Sequence, residues 1–244
     1  MNESKKKGRE GHEIGQSNKS TYEKGEKRKM KKKIVCFGDS NTYGYDPVTG
    51  GRFDSDTRWP GILKNELGDQ YEIFEEGQNG RTIANDDPWE GGTKCGMDYV
   101  LPMLETKRPD LLIIMLGTND LKIKFNLPAG DIAGSLMTML TKIRGYCENY
   151  ISCPDMKILV IAPPAMSEPF EESYFAEFFS STGSVKRSRE LAKWYKLVAE
   201  QFKCDFLNAT DQIEAGKADH LHLDPEGHKK LAMLVKDRIR EILG

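Results

Sequence analysis

Apolar residues follow two alternating patterns along residues 34–243, and this alternation predicts an α/β protein. Short unbroken apolar runs are typical of buried strands, and apolar residues spaced three or four apart are typical of one helix face. The predicted strands cover residues 34–37, 71–74, 110–117, 157–162 and 204–207. The predicted helices cover residues 58–67, 93–107, 129–150, 186–202 and 225–243.

Residues at the segment ends support these boundaries. Gly38 stops the first strand, and Gly68 suits the end of the first helix. Asp224 and Pro225 suit the N-cap and first position of the last helix. The regular alternation, with no internal repeat, predicts a three-layer α/β/α fold on a five-stranded parallel sheet. We expect residues 30–244 to form this single domain.

The first 29 residues have a different composition from the rest of the chain. Residues 1–33 carry 12 Lys/Arg against 5 Asp/Glu, although the net charge of the whole chain is −2. After Met1, only Ile14 and Tyr22 among the first 29 residues are large and apolar. We therefore expect residues 1–29 to be a disordered basic extension, with an arm for an anionic partner as the alternative. This stretch lacks the apolar segment of a secretory signal, so a cytoplasmic location is expected.

Composition narrows the classes of partner. Of the 244 residues, 38% are hydrophobic, which is enough for a sizeable core. The longest apolar run covers residues 111–116, far short of the ~18 residues of a membrane helix. The small net charge predicts neither a nucleic-acid nor a membrane partner. The five cysteines, at positions 36, 95, 147, 153 and 204, include no Cys-x-x-Cys pair, which disfavours a zinc ribbon and fits a reducing compartment.

Polar loops follow the predicted strands. In parallel α/β sheets, ligands bind beyond the carboxyl ends of the strands. The loops at 38–42, 77–82, 117–120 and 219–222 contain a serine, glycines, asparagines, aspartates and two histidines. A hydroxyl, backbone amides, a carboxamide, carboxylates and imidazoles gathered at one edge are the groups that acyl transfer requires.

Ser40 is the candidate nucleophile. A serine hydroxyl attacks an ester only when a base takes its proton, and Ser40 follows a strand directly. The alternative role for Ser40 is a helix N-cap. The chain lacks a Gly-x-Ser-x-Gly motif, so the α/β-hydrolase fold is not indicated.

The candidate base is one of four histidines. His12 lies in the basic extension and His228 in the first turn of the last helix. Asp219 lies three residues before His222, where its carboxylate can bind Nδ1 and leave Nε2 for the serine. His220 is adjacent to Asp219 and is expected to point elsewhere. A metal site built from Asp219 and the last three histidines is the weaker alternative, because no Cys or Glu accompanies them.

Taken together, the loops resemble the sequence blocks of the SGNH (GDSL-type) hydrolases over residues 32–243. Gly38-Asp39-Ser40 resembles the first block, Gly80 the second, Gly117-Thr118-Asn119-Asp120 the third, and Asp219 with His222 the fifth. Asn41 stands where the name-giving motif has leucine. The likeness is closer to the bacterial arylesterase and acyltransferase branch, which has alanine at the place of Gly80. It rests on residues 36–40, 52–53, 58–59, 75–77, 86–88 and 113–120.

This resemblance implies a flavodoxin-like SGNH fold and a serine esterase for small, acetyl-sized esters, without metal or cofactor. It implies catalytic residues Ser40, Asp219 and His222, and an oxyanion hole from the Ser40 and Gly80 amides and the Asn119 side chain. It also implies a homo-oligomer and an acyltransferase side activity.

Other readings remain open. Asn119 and Gly80 also suit ordinary turns, and Asp39, Asp120 and Arg81 are expected to be scaffold. The alternative functions are a carbohydrate O-acetyl deacetylase with the same triad and a non-catalytic ligand-binding member. A nucleotide or flavin module is disfavoured, because residues 38–42 make a poor phosphate loop.

An aromatic segment separates the fourth strand from the helix at 186–202. Phe170, Tyr174 and Phe178 are spaced four apart within residues 165–185 and predict a short amphipathic helix. It could cover the acyl pocket, contact another subunit or pack in the core. We expect a subunit interface, with part of the segment lining the site.

Overall fold

The structure, a computed structural model, describes residues 30–151, 153, 155–179 and 183–244. The predicted basic extension, with His12, lies outside the described residues. Within the described part, five strands form one parallel sheet in the order β2-β1-β3-β4-β5, so the predicted sheet and fold class are confirmed. The strands are β1 (Lys32–Gly38), β2 (Tyr71–Gly77), β3 (Leu111–Met115), β4 (Lys157–Ala162) and β5 (Asp205–Asn208).

Helices connect the strands close to the predicted boundaries. They are α1 (Ser40–Tyr43), α2 (Trp59–Leu67), α3 (Gly96–Lys107), α4 (Ala129–Tyr146), α5 (Ala176–Phe179), α6 (Ser184–Gln201) and α7 (Pro225–Leu243). The last turn predicted for α4 is instead a π turn, Cys147–Ile151. The helix α1 was not predicted, since four residues are too few to show a helical period.

The core lies on both faces of the sheet. Side chains alternate between faces along a strand, so Val35 and Phe37 pack with α3, α4 and α6. Ile34 and Cys36 pack on the other face with α2 and α7. Both faces are covered by helices, which explains why the central strands are apolar at nearly every position.

The strand order brings the polar loops together. In β1, Gly38 pairs with Gly77 of β2 and with Met115 of β3. The loops after these three strands therefore leave the sheet at the same level, at its carboxyl edge. Among the described helices, none is both long and apolar enough to cross a membrane.

Candidate active site

Ser40 is the first residue of α1, and only Asp39 separates it from the end of β1. Asp39 is the N-cap of α1, and its carboxylate accepts a hydrogen bond from the Asn41 amide (3.0 Å). Ser40 is the first helical residue, so the alternative N-cap role for it is wrong. A Cβ on Gly38 would overlap Thr42 Oγ1, and the turn that presents the serine therefore requires glycine there.

The loop after β5 brings an imidazole and a carboxylate to this serine. Ser40 Oγ lies 2.9 Å from His222 Nε2, and His222 Nδ1 lies 2.6 Å from Asp219 Oδ2. Asp219 Oδ1 accepts hydrogen bonds from the amides of Leu221 (3.0 Å) and His222 (2.8 Å). Burial opposes ionisation of Asp219, but the bonds from His222 and Leu221 outweigh it and hold its pKa below the ordinary value. The arrangement can transfer the serine proton to an oriented imidazole.

The other described histidines are occupied elsewhere. His220 adopts a positive φ of 58°, and its Nδ1 lies 2.9 Å from Ser167 Oγ. His228 Nδ1 accepts a hydrogen bond from the Trp59 amide (3.3 Å), and burial lowers its pKa to about 4. In the part of the chain that the structure describes, no three His, Cys, Asp or Glu side chains gather as metal ligands.

Candidate oxyanion donors line the same cavity as Ser40. They are Gly80, which has a positive φ of 77°, and Asn119. Asn119 Nδ2 donates to the Arg81 carbonyl oxygen (3.1 Å), which orients the carboxamide and leaves its second hydrogen. The Arg81 guanidinium donates to the Gly38 carbonyl oxygen (2.9 Å) and so joins the second loop to the first.

Two buried carboxyl groups support these loops. Asp120 accepts the Ile83 amide with both oxygens (3.1 Å each). Burial raises the pKa of Asp39 to about 6 and that of Asp120 to about 7. These values exceed the ~4 of an exposed carboxyl, so the unfolded chain loses these protons first. Their contribution to the free energy of unfolding is therefore greatest below pH ~4 and falls as the pH rises to about 7.

Asn41 has a role that sequence reasoning missed. Its Oδ1 accepts the Leu223 amide (2.9 Å) and its Nδ2 donates to the Leu221 carbonyl oxygen (3.5 Å). These residues flank His222, so Asn41 ties the loop of the base to the helix of Ser40. The sequence shows this role only indirectly, because the polar Asn41 stands where the name-giving motif of the family has leucine.

An aromatic cavity opens onto the serine. Its volume is about 350 Å³. The rings of Tyr45 and Phe175 lie against His222, with centroids 4.5 and 5.6 Å from the imidazole. The remaining aromatic lining residues are Trp89, Tyr174, Phe178 and Phe179.

The aromatic segment lines this cavity, but the single amphipathic helix predicted for it is wrong. It contains a 3-10 turn, Phe170–Glu172, and the short α5 instead. Phe170 is buried, whereas Tyr174 and Phe178 are 81% and 47% exposed, so the three do not share one buried face. Tertiary bonds set the path of this segment, since Ser173 Oγ donates to the Asp219 carbonyl oxygen.

Charged side chains form the other wall of the cavity. Lys122, only 4% exposed, pairs with Asp87 (3.1 Å) and with the Glu90 carboxylate. Lys124 also pairs with Asp87 (2.6 Å). Burial opposes ionisation of Asp87, but the two lysines outweigh it and lower its pKa. The network holds Glu90 against Gly80, where a Cβ would overlap Glu90 Oε2.

Comparisons with known proteins identify a family and several similar solved structures. Residues 36–230 match the sequence model of the GDSL-like Lipase/Acylhydrolase family. No curated protein matches the chain. The native aryl esterase of M. smegmatis has a TM-score of 0.80 and 34% identity, over 86% of this chain and 99% of its own.

Two further solved structures are similar. Est24, a carbohydrate acetylesterase from Sinorhizobium meliloti, has a TM-score of 0.80 and 33% identity, over 87% of this chain and 100% of its own. The lipase/acylhydrolase from Enterococcus faecalis has a TM-score of 0.62 and 20% identity, over 86% of this chain and 96% of its own, a likeness of fold alone.

Proposed function

The chain belongs to the GDSL-like lipase/acylhydrolase family, and from this premise we propose that Ser40, Asp219 and His222 are its catalytic triad. The chain is a carboxylic ester hydrolase, as its aryl esterase and acetylesterase neighbours indicate. The observation that carries the proposal is the 2.9 Å approach of Ser40 Oγ to His222 Nε2.

The proposed reaction passes through an acyl-enzyme. His222 Nε2 takes the proton of Ser40 as Oγ attacks the ester carbonyl, and then gives it to the leaving alkoxide. Asp219 holds the imidazole in the tautomer with hydrogen on Nδ1 and stabilises its cationic form. Water, activated by the same imidazole, then releases the acid and frees Ser40.

The oxyanion of each tetrahedral intermediate needs hydrogen-bond donors. The proposed donors are the Ser40 and Gly80 amides and the free amide hydrogen of Asn119. One such donor typically contributes ~10²–10³ in rate. No step in this scheme requires a metal or a cofactor, so activity should survive a chelator such as EDTA.

The cavity supports a preference for short acyl groups. About 350 Å³ must hold both the acyl group and part of the alcohol. Acetate and butyrate esters should therefore react faster than long-chain esters.

A panel of p-nitrophenyl esters on the full chain tests the proposal, with Ser40→Ala as the inactive variant. Wild type should favour acetate or butyrate. The variant should retain the circular dichroism of wild type and lose nearly all turnover. Turnover by Ser40→Ala within an order of magnitude of wild type would show that Ser40 is not the nucleophile and that the reaction occurs at another site. No turnover of any ester by folded wild type would favour the non-catalytic, ligand-binding alternative.

A second candidate substrate is an acetylated carbohydrate. Trp89 and Tyr174 line the cavity with 82% and 81% of their surface exposed, and such rings can stack on a sugar. Glu90 lines it too, and its partly exposed carboxylate can bind hydroxyl groups. Trp89→Ala should raise KM for an acetylated sugar while leaving KM for p-nitrophenyl acetate nearly unchanged. An equal change in both KM values would argue against sugar stacking.

The remaining predictions concern acyl transfer, oligomeric state, cellular location and partners. Acyl transfer would appear as new ester when an alcohol is added during turnover. A homo-oligomer would appear by light scattering as a mass above 27.6 kDa. The cytoplasmic location would be tested by cell fractionation. Neither a nucleic acid nor a membrane is expected as a partner.

A further inference from the structure

Two cysteines lie in contact at the opposite end of the sheet from the candidate active site. Cys147 begins the π turn after α4, and Cys153 lies shortly before β4. Their Sγ atoms are 2.8 Å apart, whereas even the smaller carbon atoms make optimal unbonded contact at ~3.5–4.0 Å. The backbone supports this approach, because the Cys153 amide donates to the Cys147 carbonyl oxygen (3.3 Å).

We infer that Cys147 and Cys153 form a redox-modification site, a dithiol that a small disulfide of the glutathione type converts to an intramolecular disulfide. Their spacing in sequence matches no familiar dithiol motif, so only the structure reveals the pair. In a reducing compartment the pair stays as two thiols, and it closes when oxidised glutathione accumulates.

Solvent accessibility determines which of the two cysteines reacts first with the small disulfide. Cys153 is half-buried, whereas Cys147 is only 3% exposed. Burial, and then the neighbouring Cys153 thiol, raise the pKa of Cys147 to about 12, so Cys147 is a poor first nucleophile. Cys153 therefore attacks the small disulfide first.

The exchange balances in atoms and electrons. The Cys153 thiolate displaces one glutathione thiolate and forms a mixed disulfide. Cys147, held in contact with Cys153, then loses its proton to the departing second glutathione as its Sγ attacks Cys153 Sγ. The two protons lost by the cysteines are taken up by the two glutathione thiolates. The protein loses two electrons and the small disulfide gains them.

Other thiols serve as internal controls. Cys36 is fully buried, and burial raises its pKa well above the ordinary value. Cys204 is half-buried and lies 3.9 Å from an Arg144 nitrogen. If exposure alone decided oxidation, Cys204 would react alongside Cys153.

The test is thiol counting on the reduced, full-length protein in native buffer with excess oxidised glutathione. Wild type should fall from five free thiols to three, with a mass loss of two hydrogens and a peptide linking residues 147 and 153. Cys204→Ser should form the same link. Cys147→Ser should stop at the mixed disulfide on Cys153. Five remaining thiols, a link between any other pair, or glutathione retained on wild-type Cys153 would overturn the inference.

Turnover provides a second readout that does not depend on the triad assignment. The six residues of β4 separate the cysteine pair from the carboxyl edge by roughly 20 Å. The kcat of the oxidised protein should therefore equal that of the reduced protein.

Discussion

Asp219→Asn changes the proposed triad while removing no heavy atom from the side chain. Asp219 accepts three hydrogen bonds, two with Oδ1 from the amides of Leu221 and His222 and one with Oδ2 from His222 Nδ1. An asparagine can satisfy only part of this set, because one oxygen becomes an NH₂ donor.

The two orientations of the asparagine have different consequences. In one orientation, the asparagine oxygen keeps the hydrogen bonds from the two backbone amides. Its NH₂ group then faces His222 Nδ1, so the single ring proton of the neutral imidazole must be on Nε2. The imidazole then donates toward Ser40 and cannot act as a base. If the amide flips, Nδ1 keeps its proton but two buried amides lose their acceptor.

The structure sets the size of the effect. Each buried donor left without an acceptor costs ~1–3 kcal/mol, so the productive orientation is less stable by about 2–6 kcal/mol. That difference corresponds to a factor of roughly 30 to 26,000. We expect kcat to fall by ~10²–10⁴, the upper value being typical when the orienting carboxylate becomes an amide.

The assay is kcat for p-nitrophenyl acetate, measured beside the melting temperature. Because the unproductive orientation keeps both backbone bonds, the melting temperature should stay close to that of wild type. The exposed Asp69→Asn serves as the matched control and should change neither quantity. A folded Asp219→Asn variant with kcat within an order of magnitude of wild type would refute this reasoning.

Further predictions concern neighbouring residues and the chain end. His222→Ala should nearly abolish turnover and His220→Ala should cost far less; equal losses in kcat, with chelator sensitivity, would favour a metal site instead. Asp120→Asn removes a carboxyl whose pKa is raised to about 7 by burial. Between pH ~4 and about 7, the melting temperature of the variant should therefore fall less than that of wild type. Parallel curves of melting temperature against pH would contradict this. Asn41→Leu leaves the buried Leu223 amide without an acceptor at a cost of ~1–3 kcal/mol, and should lower both the melting temperature and kcat. Unchanged values would show that the loop containing His222 does not depend on Asn41. A chain starting at Met30 should keep the kcat/KM and melting temperature of wild type, and a loss of either would show that residues 1–29 contact the domain.

The strands were predictable because the sheet is covered on both faces. Residues 111–115 and 158–162 are buried at every position, so they form unbroken apolar runs that cannot be mistaken for surface loops. Ser40 could be placed at the carboxyl edge because it comes two residues after the end of β1, whereas His222 comes 14 residues after the end of β5 and was chosen by its spacing from Asp219.

Features that depend on contacts distant in sequence were not predictable. The spacing of Phe170, Tyr174 and Phe178 suggested a helix, but the path of this segment depends on bonds to the loop of the base, such as Ser173 Oγ to the Asp219 carbonyl oxygen. The pairing of Lys122 with Glu90 joins residues 32 positions apart. No local pattern records either contact.

The contact between Gly80 and Glu90 makes these two positions epistatic. Alanine at 80 would place its methyl group on the Glu90 carboxylate, so this side chain would have to shift and change its pairing with Lys122. The positive φ of 77° adds a backbone cost of roughly 1–2 kcal/mol for any residue with a Cβ. A shorter residue at 90 relieves the first penalty and leaves the second. The order of the two substitutions therefore matters. If residue 90 is shortened first, alanine at 80 has only the cost of the positive φ. If alanine at 80 comes first, it has both that cost and the overlap with the Glu90 carboxylate.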